Sequence, residues 1–506
     1  MKAPFSARTH VAGPNVSAEP RQYVVSIPTG FVAAAGRFRA DLASLNDPSS
    51  NVTILGSLHE QADKLVQLDE EGVRRFRVQF PSLTLEPNLH YRVLRHPTLA
   101  EFDEVYVAKS QSSTVVTVRV QDASSGAPVV YATVYLALGG RRPRGFRGKT
   151  NDQGEVQFLV PTGGPQVSSV SVVPLHGYWS QRVAVGHSTS STILIALRPL
   201  PAENVERYDW GHRHAGMFDE VAQGGRTVRV GVIDTGIVRD HPDLPGVTGR
   251  NCVFGEPESD WFRDEDGHGT HCAGVIAANI TGRGVKGYAP RVELRAYRIF
   301  KSGESFSTTY ALSTALQQAV DDKCDIISMS IGSPMAQSTI RNKIEYAYDN
   351  GVMCIAATGN EADRVSYPAA FPNVFGVSAF GQKDTFPPDS LHADAVSDLE
   401  DAAGQQFWAR FSNFGDQLVD FCAPGVAICS TVPGGGYAAW DGTSMACPQV
   451  TGMAALALAH RPALLHADRT SQRVDQLEVI LRTAAQPLGF GADREGSGVL
   501  HVTRLL

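Results

Sequence analysis

The rhythm of hydrophobic and polar positions along this chain changes twice. Over residues 20–110, "QYVVSI" (22–27) reads as a strand, and "GFVAAAGRFRADLASL" (30–45) has helical periodicity ended by Asn46-Asp47-Pro48. "NVTILGSL", "VRRFRVQF" and "LHYRVLRH" read as further strands, with "EQADKLVQLDEEG" between them as helix or loop. The arginines of "RRFR" then form a solvated strand face, and the whole predicts a small α+β unit. From 114 to 199 the β-branched runs "TVVTVRVQD", "YATVYLAL", "EVQFLV", "VSSVSVVP" and "STILIAL" are divided by turn signals, which predicts a β-sandwich.

A linker rich in proline and charge, "RPLPAENVERYD" (198–209), precedes the second change. Beyond it "VRVGVID", "VELRAYRIF", "CDIISMSI", "GVMCIAATGN" and "NVFGVSAF" alternate with helical stretches such as "STTYALSTALQQAVDD" and "STIRNKIEYAYDNG". Near-continuous apolar strands with crossover helices predict a doubly wound parallel α/β domain over residues 203–506. Ligand chemistry in such sheets gathers at the carboxyl ends of the strands.

The 506 residues suit two to four domains, and a formal net charge of -7 argues against nucleic acid as a principal partner. No stretch approaches the ~18–20 apolar residues that span a bilayer, so no membrane partner is expected. Residues 1–19 read as a flexible leader without the apolar core of a signal peptide. Seven cysteines, none before Cys252 and none in a CxxC pair, favour reduced thiols and a cytoplasmic address, with leaderless export as the alternative.

Three polar groups stand where chemistry is expected. Asp234 ends the first apolar strand, and a buried carboxylate there must be paired or hydrogen-bonded. His268 opens "HGTHCAG" (268–274), a turn entering a small-residue helix. His271 lies three residues on, but zinc-protease helices space their histidines by four around a glutamate, which is absent here. Ser444 in "GTSMACP" (442–448) either caps a helix or acts as a nucleophile; Ala446 stands where an α/β-hydrolase would have its second glycine.

Residues about 203–503 resemble the subtilisin-type serine proteases, through "VIDTGI" (232–237) with "HPDL" (241–244), "HGTHCAG", "ATGN" (357–360) and "GTSMACP" in the family's order. The resemblance implies an endopeptidase with Ser444 as nucleophile, His268 as base and Asp234 orienting it, through an acyl-enzyme intermediate. Asn360 and the Ser444 backbone N–H would hold the oxyanion. Ser330, Ile331 and Gly332 resemble the edge that pairs with extended substrate, and Ala357, Thr358 and Gly359 would line the pocket for the side chain before the cut. No acidic residue lies in these segments, which favours an apolar or broad preference, although Glu361 and Asp363 are close enough to modify it. The partners implied are polypeptide substrates and an inhibitor, intramolecular or separate. An ester hydrolase and a silent protease-fold binding protein are the alternatives.

Residues 114–199 resemble a carboxypeptidase-regulatory, transthyretin-like sandwich, through Asp122 to Pro128, Ala132-Thr133-Val134 and Thr150 to Val156. Residues 20–110 loosely resemble a subtilase propeptide, with the sandwich standing where the family has a direct junction. Gln449 replaces the family's usual histidine, and Cys272 resembles the free cysteine of proteinase-K-like members. The chemistry requires no cofactor. Asp243 matches a family ligand for structural calcium, while "ANITGRGVKG" offers few side-chain oxygens beyond Asn279 and Thr281. The acidic segment 381–406 reads as a solvated surface insertion, with a calcium or partner site as the alternative.

Overall fold

In the computed structural model, Asp69 marks the first departure from expectation. Its carboxylate accepts from the Gly72 N–H at 2.6 Å and caps a helix, Glu70–Gln79, with Glu70 and Glu71 in the first turn. "VRRFRVQF" is therefore helical rather than a strand: Val73, Phe76 and Phe80 fall on one face and join the core, leaving the arginines on the solvated face of a helix. "KLVQL" within the stretch read as helix or loop is instead the strand Lys64–Leu68. The structure describes residues 21–506 except 28–34, 48–49, 51, 60–61, 95–102, 105–111, 140–143, 164–165, 186–191, 202–208, 218–227 and 280–283. The leader, most of the linker and Thr281 lie outside the described residues.

The chain divides into two compact units, 1–88 and 89–506. The first is a βαββαβ arrangement, with an antiparallel sheet ordered Thr53–Ser57, Lys64–Leu68, Arg21–Ser26, Thr84–Pro87. The helix read over 30–45 is described from Ala35 to Ser44.

Residues 103–197 of the second unit form two sheets. One is ordered Glu155–Pro161, Ser113–Asp122, Thr192–Leu197; the other Gln181–Ala184, Val167–Val173, Thr133–Leu138, Arg144–Lys149, Asp103–Glu104. Val118, Val120, Ile195 and Leu197 of the first share one core with Val134, Leu136, Val170 and Val172 of the second.

The principal sheet is ordered Thr248–Asn251, Glu293–Arg298, Arg229–Asp234, Ile326–Met329, Met353–Ala357, Val374–Gln382, all parallel, with Phe421–Pro424 also parallel to the last. Gln406–Ala409 and Val396–Glu400 extend it antiparallel. The central parallel strands Arg229–Asp234, Ile326–Met329 and Met353–Ala357 are buried almost throughout, as their small and apolar residues require. Three neighbouring strands deliver Asp234, Ser330 and Ala357-Thr358-Gly359-Asn360 to one edge, the carboxyl ends.

The acidic insertion is more than a solvated loop, because it faces the two-sheet region. Asp389 pairs with Arg198 and accepts from Gln181 Nε2 at 2.8 Å, and Arg182 reaches Asp394 at 2.7 Å. Trp179 meets His392 edge-on.

Behind the sheet, the helix Thr443–Ala459 is buried on every side, and its few polar residues are satisfied inside the core. Gln449 accepts from the Tyr288 hydroxyl at 2.7 Å and donates to the Pro424 carbonyl at 2.6 Å. The departure from histidine thus carries its own buried hydrogen-bond set. Gln449→Met leaves both partners unsatisfied and is expected to cost about 2–4 kcal/mol. Denaturant unfolding in a Ser444→Ala background checks this; a midpoint equal to the parent's refutes it.

Candidate active site

Asp234 is 1 % exposed at the end of its strand. Its Oδ1 accepts from the Thr235 N–H at 2.7 Å and lies 2.8 Å from His268 Nδ1. That contact fixes one imidazole nitrogen and leaves Nε2 without a hydrogen-bond partner among the described residues. The helix His268–Ala277 that carries the ring crosses close to the sheet because Gly269 has no side chain; a Cβ there would stand 2.1 Å from the Gly236 carbonyl oxygen.

Asp264, not singled out in the sequence, secures this helix start. Its carboxylate accepts from the Gly267 N–H, the Thr270 N–H and hydroxyl, and the Thr235 hydroxyl, at 2.5–2.8 Å. Burial holds its carboxyl above the ordinary range despite these donors. The signal was present: an acid four residues ahead of a small-residue helix.

Ser444 is the second residue of its helix, where backbone N–H groups have no intrahelical acceptor. Pro448 lacks the N–H that would bond the Ser444 carbonyl. That oxygen accepts instead from the Ser330 hydroxyl at 3.0 Å and lies 3.5 Å from the Cys272 thiol. Ser444 Oγ in turn donates to the Ser330 carbonyl at 3.1 Å, and so does not bond His268. Cys272 Sγ, 3.9 Å from His268 Nδ1, bridges the two helices. Its complete burial pushes the thiol well above its ordinary pKa, so it is a protonated, packed group.

Asn360 is held by its oxygen. Oδ1 accepts from the Thr443 N–H and hydroxyl, each at 2.9 Å, which turns Nδ2 outward. Nδ2 donates to the carbonyl of Leu94 at 2.5 Å. The sequence places "LHYRVLRH" among the strands of the N-terminal unit and gives it no part in the site. The strand His90–Val93 lies between two edges of the second unit, antiparallel to Phe306–Thr308 and to Ile331–Gly332. Leu94 continues it and donates to the Ser330 carbonyl at 3.4 Å.

Of the residues expected at the substrate edge, Ser330, Ile331 and Gly332 all meet this segment. Leu94 is 2 % exposed and shares a core cluster with Ala357; a Cβ on Gly332 would stand 2.8 Å from its Cδ2. Thr358 turns away, its hydroxyl donating to the Asn413 carbonyl at 3.3 Å. Gly359 keeps φ 119° and donates to the Thr443 hydroxyl at 3.1 Å.

His271 lies 3.1 Å from the Ile428 and Ala438 carbonyls and stacks on Trp440, a packing role. Among the described residues the one group of His, Cys and carboxylate atoms close enough to hold a metal is Asp234, His268 and Cys272. Asp243 accepts from the Tyr437 hydroxyl at 2.7 Å; a calcium ion needs about 6–8 oxygens, and Thr281 of the neighbouring loop lies outside the described residues.

A model of the subtilase family matches residues 225–501. Subtilisin DY of Bacillus licheniformis is 36% identical over 250 residues, 48% of this chain and 81% of its own. An intracellular serine protease of Paenibacillus polymyxa is 35% identical over 290 residues, 55% of this chain and 80% of its own. Subtilisin E of Bacillus subtilis is 36% identical over 248 residues, 48% of this chain and 58% of its own. The polar groups gathered at one edge of a parallel sheet, the four motifs and these matches belong together: the chain is a member of the subtilase family of serine peptidases, which act on polypeptides.

Proposed function

We propose that this peptidase is an endopeptidase acting through Ser444, His268 and Asp234, with Asn360 Nδ2 and the Ser444 N–H as oxyanion donors, and that its own site cuts the bond between Leu94 and Arg95. The observation that carries the reading is the Leu94 carbonyl accepting from Asn360 Nδ2, at the mouth of the Ser444 helix. Pairing by backbone on two edges requires no free terminus, and Leu94 is internal to the chain, both of which favour an endopeptidase.

In this reading Ser444 Oγ leaves the Ser330 carbonyl and attacks the Leu94 carbonyl carbon as its proton passes to His268 Nε2. Asp234 stabilises the imidazolium, and the negative oxygen settles against the Asn360 amide, which Thr443 has already aimed. Collapse breaks the C–N bond, and His268 returns the proton to the Arg95 amine. Water then adds to the ester with His268 again as base, giving a Leu94 carboxylate and free Ser444. No step uses a metal. Seven cysteines without a disulfide, and a relative named as intracellular, support a cytoplasmic address. Among the described residues no helix is long and apolar enough to cross a membrane.

Intact mass of the full chain and of Ser444→Ala after a fluorophosphonate tests this. The wild type should carry one probe and begin at Arg95, while the variant should stay whole and unlabelled. A wild type that neither labels nor is cut overturns the reading in favour of a silent binding protein; small-ester turnover far above peptide turnover favours an esterase. A mercurial should abolish activity through Cys272, slowly because the thiol is buried and protonated, and Cys272→Ala should resist it. Equal loss in both forms would mean that the metal acts elsewhere.

A further inference from the structure

The segment in the site presents three different side chains to its surroundings. Tyr91 is 1 % exposed and packs in the core cluster that contains Ile331 and Leu312. Leu94 is equally enclosed. Arg92, between them, is half exposed, and its guanidinium forms an ion pair with Glu361. Glu361 follows Asn360 directly, so the charge sits beside the oxyanion donor.

The Glu361 carboxylate is also held by residues other than the segment it faces. Its Oε2 accepts from Asn413 Nδ2 at 2.8 Å and from the Asn360 N–H at 3.1 Å, while its own N–H donates to Asn413 Oδ1 at 2.8 Å. Asn413 is itself 1 % exposed and donates to the Arg364 carbonyl at 2.8 Å. With Oε2 anchored, Oε1 is the atom left to face Arg92. Those contacts limit the rotamer freedom that the enzyme side of the pair loses on binding, which is the usual cost that cancels an exposed ion pair.

We propose that Glu361 is a specificity-determining residue that selects a basic side chain two positions before the residue whose carbonyl is attacked. The substrate class is then an extended segment reading aromatic, basic, aliphatic, leucine. Nearness in sequence suggested that Glu361 would modify the pocket for the residue before the cut; its partner is instead the third residue back. The inference rests on the reading of Leu94–Arg95 as the scissile bond.

Three internally quenched peptides with the sequence of residues 88–98 test it, carrying arginine, glutamine or glutamate at the place of Arg92. Wild type should rank them in that order by kcat/KM, roughly two- to fivefold per step, the range of a partly exposed ion pair. The ranking should fade in molar salt, where exposed charges are screened. Glu361→Gln keeps an oxygen for Asn413 and the Asn360 N–H, and should bring the arginine and glutamine peptides to parity. Equal rates for all three with wild type, or a Glu361→Gln enzyme that keeps the wild-type ranking, overturn the proposal while the peptidase reading stands. Cleavage of none of the three by a fluorophosphonate-reactive wild type overturns the assignment of the scissile bond and this proposal with it.

Discussion

The polar groups at the carboxyl edge of the principal sheet are buried, and each buried polar atom must find a partner or become costly. Asp234, His268, Asn360 and Ser444 are all at most 1 % exposed. Much of the surrounding sequence follows from that constraint. Thr235 and His268 share one Asp234 oxygen, Thr443 takes both contacts of the Asn360 oxygen, and Ser330 exchanges two hydrogen bonds with Ser444. Pro448 removes a helical N–H, and the carbonyl it frees becomes the acceptor that ties the Ser444 helix to the neighbouring strand.

What was legible in the sequence was what is local. Each site residue ends a strand or starts a helix, so a short string carries both the turn and the functional group, and the parallel sheet followed from unbroken apolar runs. The misread helix Glu70–Gln79 has a comparable local explanation. "VRRFRVQF" alternates loosely enough to pass for a strand, and only the capping carboxylate of Asp69 with two acids behind it tips the balance.

What was hidden depends on pairing over long stretches of chain. Nothing in "LHYRVL" states that it will lie beside Ile331–Gly332, since a six-residue alternation fits any sheet edge. The acidic insertion was equally mute, because carboxylates read as solvent-facing until Arg182 and Arg198 are brought against them. Asp264 is an intermediate case: Gly267 and Thr270 are close to it in sequence, and only its Thr235 donor is brought to it by the fold.

The covalent continuity between the strand His90–Val93 and the two-sheet region has a consequence in concentration. While the chain is whole, that strand is a tethered ligand, present at its groove at an effective concentration on the order of millimolar whatever the protein's abundance. If the backbone is broken after Leu94 as proposed, the same strand belongs to a separate molecule and its occupancy obeys mass action. The two-sheet region stays joined to the sheet that carries Ser444, held also by Asp389 and Asp394. Dilution after the break would then release the groove, and a crowded solution would keep it filled.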